Sequence, residues 1–415
     1  MNIEKKSFVW NVIGSGISAG SSFVFLLCVT RTVGIAEGGI FSLAFAIAQL
    51  LLTVGKYGVR SFQATDVSGE ISFATYVITR AFFCIIMVAC SAMYVWVSGF
   101  ELYKAEIVLF VCLLKMVDAV EDVFHGQFQL CDKMYIAGQL LSIRNLFSIL
   151  LFGISIFITC NLLFTCAVTA IFSLLICLII NGFTVKKCGI KWGRWNIQQG
   201  WHLFKLCTPL FAGHFLSLYI YNVPKYAIDK FCTTEMQTYY AIIFMPTFVI
   251  NIFSEFVFKP MLTGLASLWH QARAKEFERI IIKLVINICV VTTAALGGMY
   301  LCGIPVLSFV YHTELKEFRT DLIILITGGG FSAAVYMLYN VLTSMRMQKI
   351  IFVNYLTGAI LITVISYYNV WRNGIRGAAV SYLIVEAIMF AFMITVTMRQ
   401  IWKGEKHVEV NELCK

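Results

Sequence analysis

Residues 162–185 read LLFTCAVTAIFSLLICLIINGFTV and contain no charged side chain. A helix of this length rises about 36 Å, slightly more than the roughly 30 Å hydrocarbon thickness of a bilayer. The stretch therefore predicts a transmembrane helix.

Similar apolar stretches recur along the whole chain, separated by short polar gaps. Together with 162–185 they predict about 12 spans, six in each half: 8–30, 39–55, 74–98, 105–130, 138–159, 203–223, 238–258, 280–301, 322–344, 350–371 and 377–398. The predicted fold class is an all-α, polytopic membrane protein.

The composition agrees with a chain that is solvated by lipid. Of its 415 residues 60% are hydrophobic and 13% charged, and the mean hydropathy is +0.83. No soluble domain of this size could bury so much apolar surface in one core. The net charge of +10 does not indicate nucleic-acid binding, because the cations fall at predicted helix ends, where membrane topology requires them.

Lysine and arginine favour every second gap, which sets the predicted orientation. The poorer side, interpreted as external, holds Arg31, Lys104, Lys225, Lys230, Lys316, Arg319, Arg372 and Arg376. The richer side includes both ends of the chain and the basic run 186–194. We therefore expect both termini to be cytoplasmic.

Nothing in the sequence predicts a metal, a cofactor or a catalytic centre. The 14 cysteines lie mostly inside spans or near their ends, and none forms a Cys-x-x-Cys pair, so we interpret them as reduced packing residues. No gap between spans is long enough to fold as a domain. Any chemistry must be carried by polar side chains within the spans.

The fourth span carries the densest set of such side chains. Lys115, Asp118, Asp122, His125 and Gln129 share one helical face, with Glu121 beside it. One interpretation is internal neutralisation for helix packing. The other is a hydrated surface on which Asp118, Glu121 and Asp122 outnumber the local cation and couple transport to protons or sodium.

Further charged residues lie in or beside other spans. Arg31, Arg60 and Arg80 are candidate anion-binding groups. Snorkelling to the interface would also explain Arg31 and Arg80, and Lys225 of the seventh span as well. In the seventh span a polar face includes His214, Tyr221 and Lys225 at helical spacing. Glu386 has no cation on its own helix, so it either pairs with an arginine elsewhere or is protonated, which makes it a fourth coupling candidate.

Several short motifs resemble a known family. Residues 31–41, RTVGIAEGGIF, followed by Tyr57-Gly58-Val59-Arg60, resemble the first two helices of the polysaccharide transporter family, the Wzx-type flippases. These belong to the multidrug/oligosaccharidyl-lipid/polysaccharide exporter superfamily. Looser matches occur at 122–129, at Asn222 to Lys230, and from Met245-Pro246 to Phe258-Lys259-Pro260.

The resemblance implies two six-helix bundles around a central cavity that opens alternately to each side. We place them at 1–190 and 191–415. It further implies a flippase that moves polyprenyl-pyrophosphate-linked oligosaccharide across the bacterial inner membrane for O-antigen, capsule or exopolysaccharide synthesis. The expected partners are that lipid-linked substrate, a coupling proton or sodium ion, and possible polymerase and glycosyltransferase proteins.

Three alternatives stay open at this point. A multidrug exporter of the same superfamily would share the fold but favour a carboxylate-rich cavity for cationic aromatics, whereas Arg31, Arg60, Arg80 and Lys225 favour anions. A lipid II flippase commonly has two more spans. A membrane polysaccharide polymerase or glycosyltransferase would need larger external loops for its catalytic residues than this chain has.

Overall fold

The computed structural model of the protein describes residues 3–64, 66, 69–258, 265, 268, 269, 271, 273–345 and 347–413. Within these ranges the chain is almost entirely helical and no strand occurs. The end of one matched motif, Lys259-Pro260, lies outside the described residues.

The first nine helices run from the N-terminus past the middle of the chain. They are α1 (Ile3–Thr32), α2 (Ile35–Lys56), α3 (Val59–Gln63), α4 (Phe73–Ser98), α5 (Leu102–Leu130), α6 (Met134–Thr159), α7 (Leu162–Lys187), α8 (Ile197–Phe231) and α9 (Thr234–Phe258). Local chemistry fixes several ends: Ser72 caps α4 by accepting from the Thr75 N–H, and Asn161 caps α7 by accepting from the Phe164 N–H.

The remaining helices are more irregular. They are α10 (Ala274–Gly298), which continues through a π-helical turn at Met299–Gly303, α11 (Ile304–Tyr311), α12 (Arg319–Ser344) and α13 (Gln348–Leu413). Gly374, with φ of 55°, interrupts α13 and divides it into two arms. A 3-10 turn at Lys316–Phe318 precedes α12.

All twelve predicted spans lie within these helical segments, the last two on the two arms of α13. Nine helical stretches among the described residues are long and apolar enough to cross a membrane. Helix α5 has the length of a span, but its four central charges, Lys115, Asp118, Glu121 and Asp122, keep it out of that group. The prediction of an all-α polytopic fold is confirmed.

The described chain forms two compact units, Met1–Leu218 and Tyr219–Lys415. In the first unit, α5 is the central helix and packs against α2, α4, α6 and α7. In the second, α12 packs against α9, α10 and α13. The units divide within α8, whereas the sequence placed the division at 190, in the gap before that helix; the six-helix assignment of each half stays a proposal.

Glycine permits the closest helix contacts in the first unit. A Cβ on Gly138 of α6 would lie 2.5 Å from the Trp10 backbone of α1, and one on Gly126 of α5 would overlap Gln63 Oε1 of α3. The second contact brings the short helix α3 against α5, which positions the side chain of Arg60.

Candidate functional site

The polar face of α5 is turned into the first unit rather than outward. Glu121 and Asp122 are buried, as are Lys115 and His125 on the same helix. Such a face is costly in lipid, so α5 occupies the centre of the unit, where neighbouring helices supply partners. An ion-pair network with charged groups from α3, α4, α5 and α6 results.

Arg144 of α6 is the main partner of the first two carboxylates. Its Nε lies 2.7 Å from Glu121 Oε2, and its Nη2 lies 2.6 Å from Asp118 Oδ1. Asp118 also pairs with Lys115 at 3.0 Å, and the Lys115 Nζ stands 4.6 Å from the Phe45 ring centre. A charge-assisted pair on each carboxylate satisfies groups that would otherwise be buried alone.

Sequence reasoning missed Arg144. It lies within the predicted span 138–159, and the rule that singled out Arg80 applies equally to it. The signal was therefore present, but its partners on α5 could not be predicted because pairing across helices depends on tertiary packing.

Asp122 accepts from two arginines of different character. Arg80 of α4 is only 1% exposed; its Nη2 lies 2.9 Å from Asp122 Oδ2, and its Nη1 donates to the Gly55 carbonyl at 3.0 Å. Arg60 of α3 is 31% exposed and lies at the longer distance of 3.3 Å from Asp122 Oδ1. Its Nη2 also donates to Gln129 Oε1 at 3.3 Å.

The turn between α2 and α3 positions Arg60. Tyr57 and Gly58 both have positive φ, which ends α2 and separates it from α3. The Tyr57 ring then stacks on Phe83 at 4.1 Å and on Phe211 at 4.5 Å between ring centres, and its hydroxyl lies 3.1 Å from Thr208 Oγ1. Stacking of this kind holds the turn against α4 and α8.

The network matches Asp118, Glu121 and Asp122 with cations from neighbouring helices. On α5 alone the three carboxylates outnumber the one nearby cation, Lys115. Once the arginines of α3, α4 and α6 are counted, that excess of negative charge disappears. His125 Nε2 lies 3.6 Å from Glu121 Oε1, which is beyond hydrogen-bond distance, so Arg144 remains the partner of this carboxylate. For Asp118 and Glu121 the geometry favours internal neutralisation.

The structure does not bring every predicted site residue to this network. Arg31 is exposed at the end of α1 and precedes α2, while Arg60 follows α2. Because α2 has 22 residues and rises about 33 Å, these two arginines lie at opposite ends of a span. His214 is exposed on α8 and belongs to the first unit.

Two predicted residues meet in the second unit. Lys225 Nζ lies 5.5 Å from the ring centre of Tyr221 and 5.4 Å from that of Phe244, and 3.5 Å from Asn222 Oδ1. Among the residues that the structure describes, no carboxylate forms an ion pair with Lys225. Its charge is stabilised by aromatic faces and an amide oxygen instead.

Glu386 lies in the same unit on the second arm of α13. Its side chain is buried, and Oε2 has no hydrogen-bond partner in the described part of the chain. Its neighbour one turn earlier, Tyr382, packs edge-on against Phe244 at 5.1 Å. Unlike the carboxylates of α5, Glu386 forms no ion pair in the described ranges.

No group of histidine, cysteine or carboxylate side chains within the described residues could hold a metal ion. The cysteines described are free thiols.

Comparison with solved structures identifies the fold. The chain is similar to an inward-facing multidrug-resistance MATE family transporter of the MOP superfamily, with a TM-score of 0.72 and 11% identity, over 95% of this chain and 99% of that one. It is equally similar to the lipid II flippase MurJ in an inward closed conformation, with a TM-score of 0.72 and 14% identity, over 97% and 89% of the two chains. The chain therefore shares the fold of these two membrane proteins.

Comparison by sequence points the same way. The chain is 23% identical over 391 residues to the capsular polysaccharide biosynthesis protein CapF of Staphylococcus aureus. The aligned region covers 92% of this chain and 96% of that protein. No family model matches. The resemblance drawn from the sequence motifs is confirmed, and the proteins that share the fold are transporters and a flippase rather than enzymes.

Proposed function

We propose that this protein flips a polyprenyl-pyrophosphate-linked oligosaccharide from the cytoplasmic to the external leaflet of the bacterial inner membrane, for the synthesis of a surface polysaccharide. The transport cycle is ion-coupled alternating access, with both termini in the cytoplasm. Glycosyltransferases that build the oligosaccharide and a polymerase that consumes it are the partners this role requires.

The observation that carries the proposal is fixed positive charge within both units. Arg60 is a partly exposed guanidinium at the edge of the α5 network, and Lys225 has no carboxylate partner in the described residues. An anion that leaves water for a low-dielectric protein interior must meet such charges, because its desolvation would otherwise prevent entry. The name of the similar protein from S. aureus supports a polysaccharide role.

The coupling ion is assigned to carboxylates within the spans, with Asp118, Glu121, Asp122 and Glu386 as candidates. Their geometry ranks them. The first three pair with arginine or lysine, whereas Glu386 is buried without an ion pair, so Glu386 is the strongest candidate for exchanging a proton or binding sodium.

A multidrug exporter of the same superfamily is the second candidate. The similarity to MATE transporters favours it, since the same fold serves that role. The two candidates differ in cargo: a flippase moves an anionic lipid-linked glycan, whereas a multidrug exporter moves cationic drugs. Loss of the protein should therefore reduce surface polysaccharide in the first case and increase drug sensitivity in the second.

The test is deletion of the gene in its own bacterium. We expect loss of surface polysaccharide and accumulation of lipid-linked oligosaccharide on the cytoplasmic leaflet, measured by glycan staining and by protection of the intermediate from an external glycosidase. Wild-type protein should restore export, and Arg60→Ala should restore it poorly at equal protein level. Normal surface polymer together with increased sensitivity to cationic drugs would instead establish the multidrug exporter.

A further inference from the structure

The two arginines on Asp122 differ in a way that suggests different roles. Arg80 is almost fully buried, and both of its Nη atoms are held: Nη2 by Asp122 and Nη1 by the Gly55 carbonyl. Arg60 is 31% exposed, and both of its contacts on α5 are long, at 3.3 Å. Hydrogen bonds of a guanidinium to a carboxylate are typically about 2.8 Å, so the Arg60 contacts are the weaker ones.

We propose that Asp122 is a built-in competitor for the phosphate group of the cargo: it holds Arg60 when the site is empty and releases it to the phosphate when cargo arrives. The inference rests on the proposed function, because it takes the cargo to carry a phosphate or pyrophosphate. No bond is made or broken in this step; one ion pair of Arg60 replaces another.

Arg80 lowers the free-energy cost of the exchange, because it keeps the Asp122 carboxylate paired. When Arg60 turns to the phosphate, the Asp122 carboxylate keeps its 2.9 Å contact with Arg80 Nη2. A buried carboxylate left without any cation would be strongly destabilising. The shared carboxylate therefore lets one arginine leave while the other holds the charge.

Gln129 completes the resting position of Arg60. Its neutral Oε1 accepts from Nη2 without adding negative charge. A carboxylate in its place would bind Arg60 more strongly, and the phosphate would then have to displace two anions. A neutral acceptor at position 129 is what a releasable arginine requires.

The competition can be measured by binding to purified protein in phosphatidylcholine nanodiscs. The probe is radiolabelled geranylgeranyl pyrophosphate, with labelled inorganic pyrophosphate as the free-anion comparison, both in a scintillation proximity assay. We expect Asp122→Asn to tighten binding of the lipid probe by roughly fivefold, the size expected for losing one partly exposed ion pair. Arg60→Ala should weaken it, and the double variant Arg60→Ala/Asp122→Asn should show no gain.

A second pair of variants avoids disturbing Arg80. Gln129→Glu adds a carboxylate beside Arg60 and should weaken binding roughly fivefold. Gln127→Glu is the matched control: it makes the same change on the same helix, but Gln127 accepts from Gln63 Nε2 instead of Arg60. It should change the dissociation constant less than twofold.

The results separate the inference from the function it rests on. Unchanged or weaker binding by folded Asp122→Asn, or equal effects of Gln129→Glu and Gln127→Glu, would overturn the competition. If Asp122→Asn does not fold, the two glutamine variants decide alone. Wild-type protein that binds neither probe would refute a phosphate-bearing cargo itself, whereas equal affinity for both probes would support the exchange and assign it to a free anion.

Discussion

Arg144 shows how a single residue determines whether a polar helix can be buried. Its guanidinium pairs with both Asp118 and Glu121; Asp118 has Lys115 as a second partner, whereas Arg144 is the one arginine or lysine that pairs with Glu121 among the described residues. Arg144 and Glu121 are themselves almost fully buried. Removing one partner of a buried pair usually costs about 3 to 5 kcal/mol, because the other charge stays behind.

We therefore expect Arg144→Met to lower the free energy of unfolding by about 3 to 5 kcal/mol. Adding Glu121→Gln to it should recover part of the loss, because the uncompensated charge is removed. The measurement is thermal denaturation in detergent, followed by size-exclusion chromatography. Equal melting temperatures for wild type and Arg144→Met would contradict the pairing.

Glu386→Gln provides a contrasting substitution of a buried carboxyl. Because no cation in the described residues pairs with it, the amide should leave the melting temperature within a few degrees of wild type. If Glu386 carries the coupling ion, the same change should still abolish the dependence of export on the proton or sodium gradient. Export that stays fully gradient-dependent in this variant would remove Glu386 from the coupling candidates.

At the scale of helices, glycines decide how closely the elements pack. Helices α1 and α6 cross where Gly14 meets the Gly138 carbonyl, and a Cβ on Gly138 would lie 2.5 Å from the Trp10 backbone. Backbone atoms cannot move aside as a flexible side chain can. Small residues at such crossings are the main means of helix association in membranes.

We expect Gly138→Ala to force α1 away from α6, because the added Cβ would clash with the Trp10 backbone, and to lower the melting temperature and the yield of folded protein. The matched control on the same helix is Gly153→Ala, since the nearest atom to its new Cβ is Cys28 Sγ at 4.0 Å. The control should leave both quantities unchanged. Fluorescence-detected size-exclusion chromatography of both variants tests this, and similar profiles would contradict the close crossing.

The helices could be predicted from the sequence because their signal is local, whereas the contacts between them could not. The apolar stretch 162–185 predicts α7 almost to the residue. The short helix α3 was not predicted, because its five residues lie in a gap and carry no periodic pattern. The sequence places Arg80 inside a predicted span and Arg60 in the gap after 39–55, but nothing in their spacing predicts that both meet Asp122.

For the whole molecule, the distribution of cations predicts which ends of the helices face the cytoplasm. Lys191 lies exposed between α7 and α8, and Lys275 lies exposed at the start of α10. Lys104 and Lys316 lie at the start of α5 and just before α12. The positive-inside rule assigns the first pair to the cytoplasm and the second pair to the exterior.

Single cysteines in a cysteine-free background test that orientation. We expect cysteines replacing Lys104 and Lys316 to react with a membrane-impermeant maleimide in intact cells, and those replacing Lys191 and Lys275 to react only after the cells are opened. Labelling at Lys191 in intact cells would reverse the predicted orientation.

The network around Arg144 also limits how this sequence can drift over evolutionary time. A mutation that changes Asp118, Glu121 or Arg144 alone passes through an intermediate with an unmatched charge in the interior, which selection removes. A lineage can abandon this arrangement only when compensating changes on α5 and α6 arise nearly together. We therefore expect the charges of α5 and α6 to change together in related sequences, although Glu121 and Arg144 are 23 positions apart in the chain.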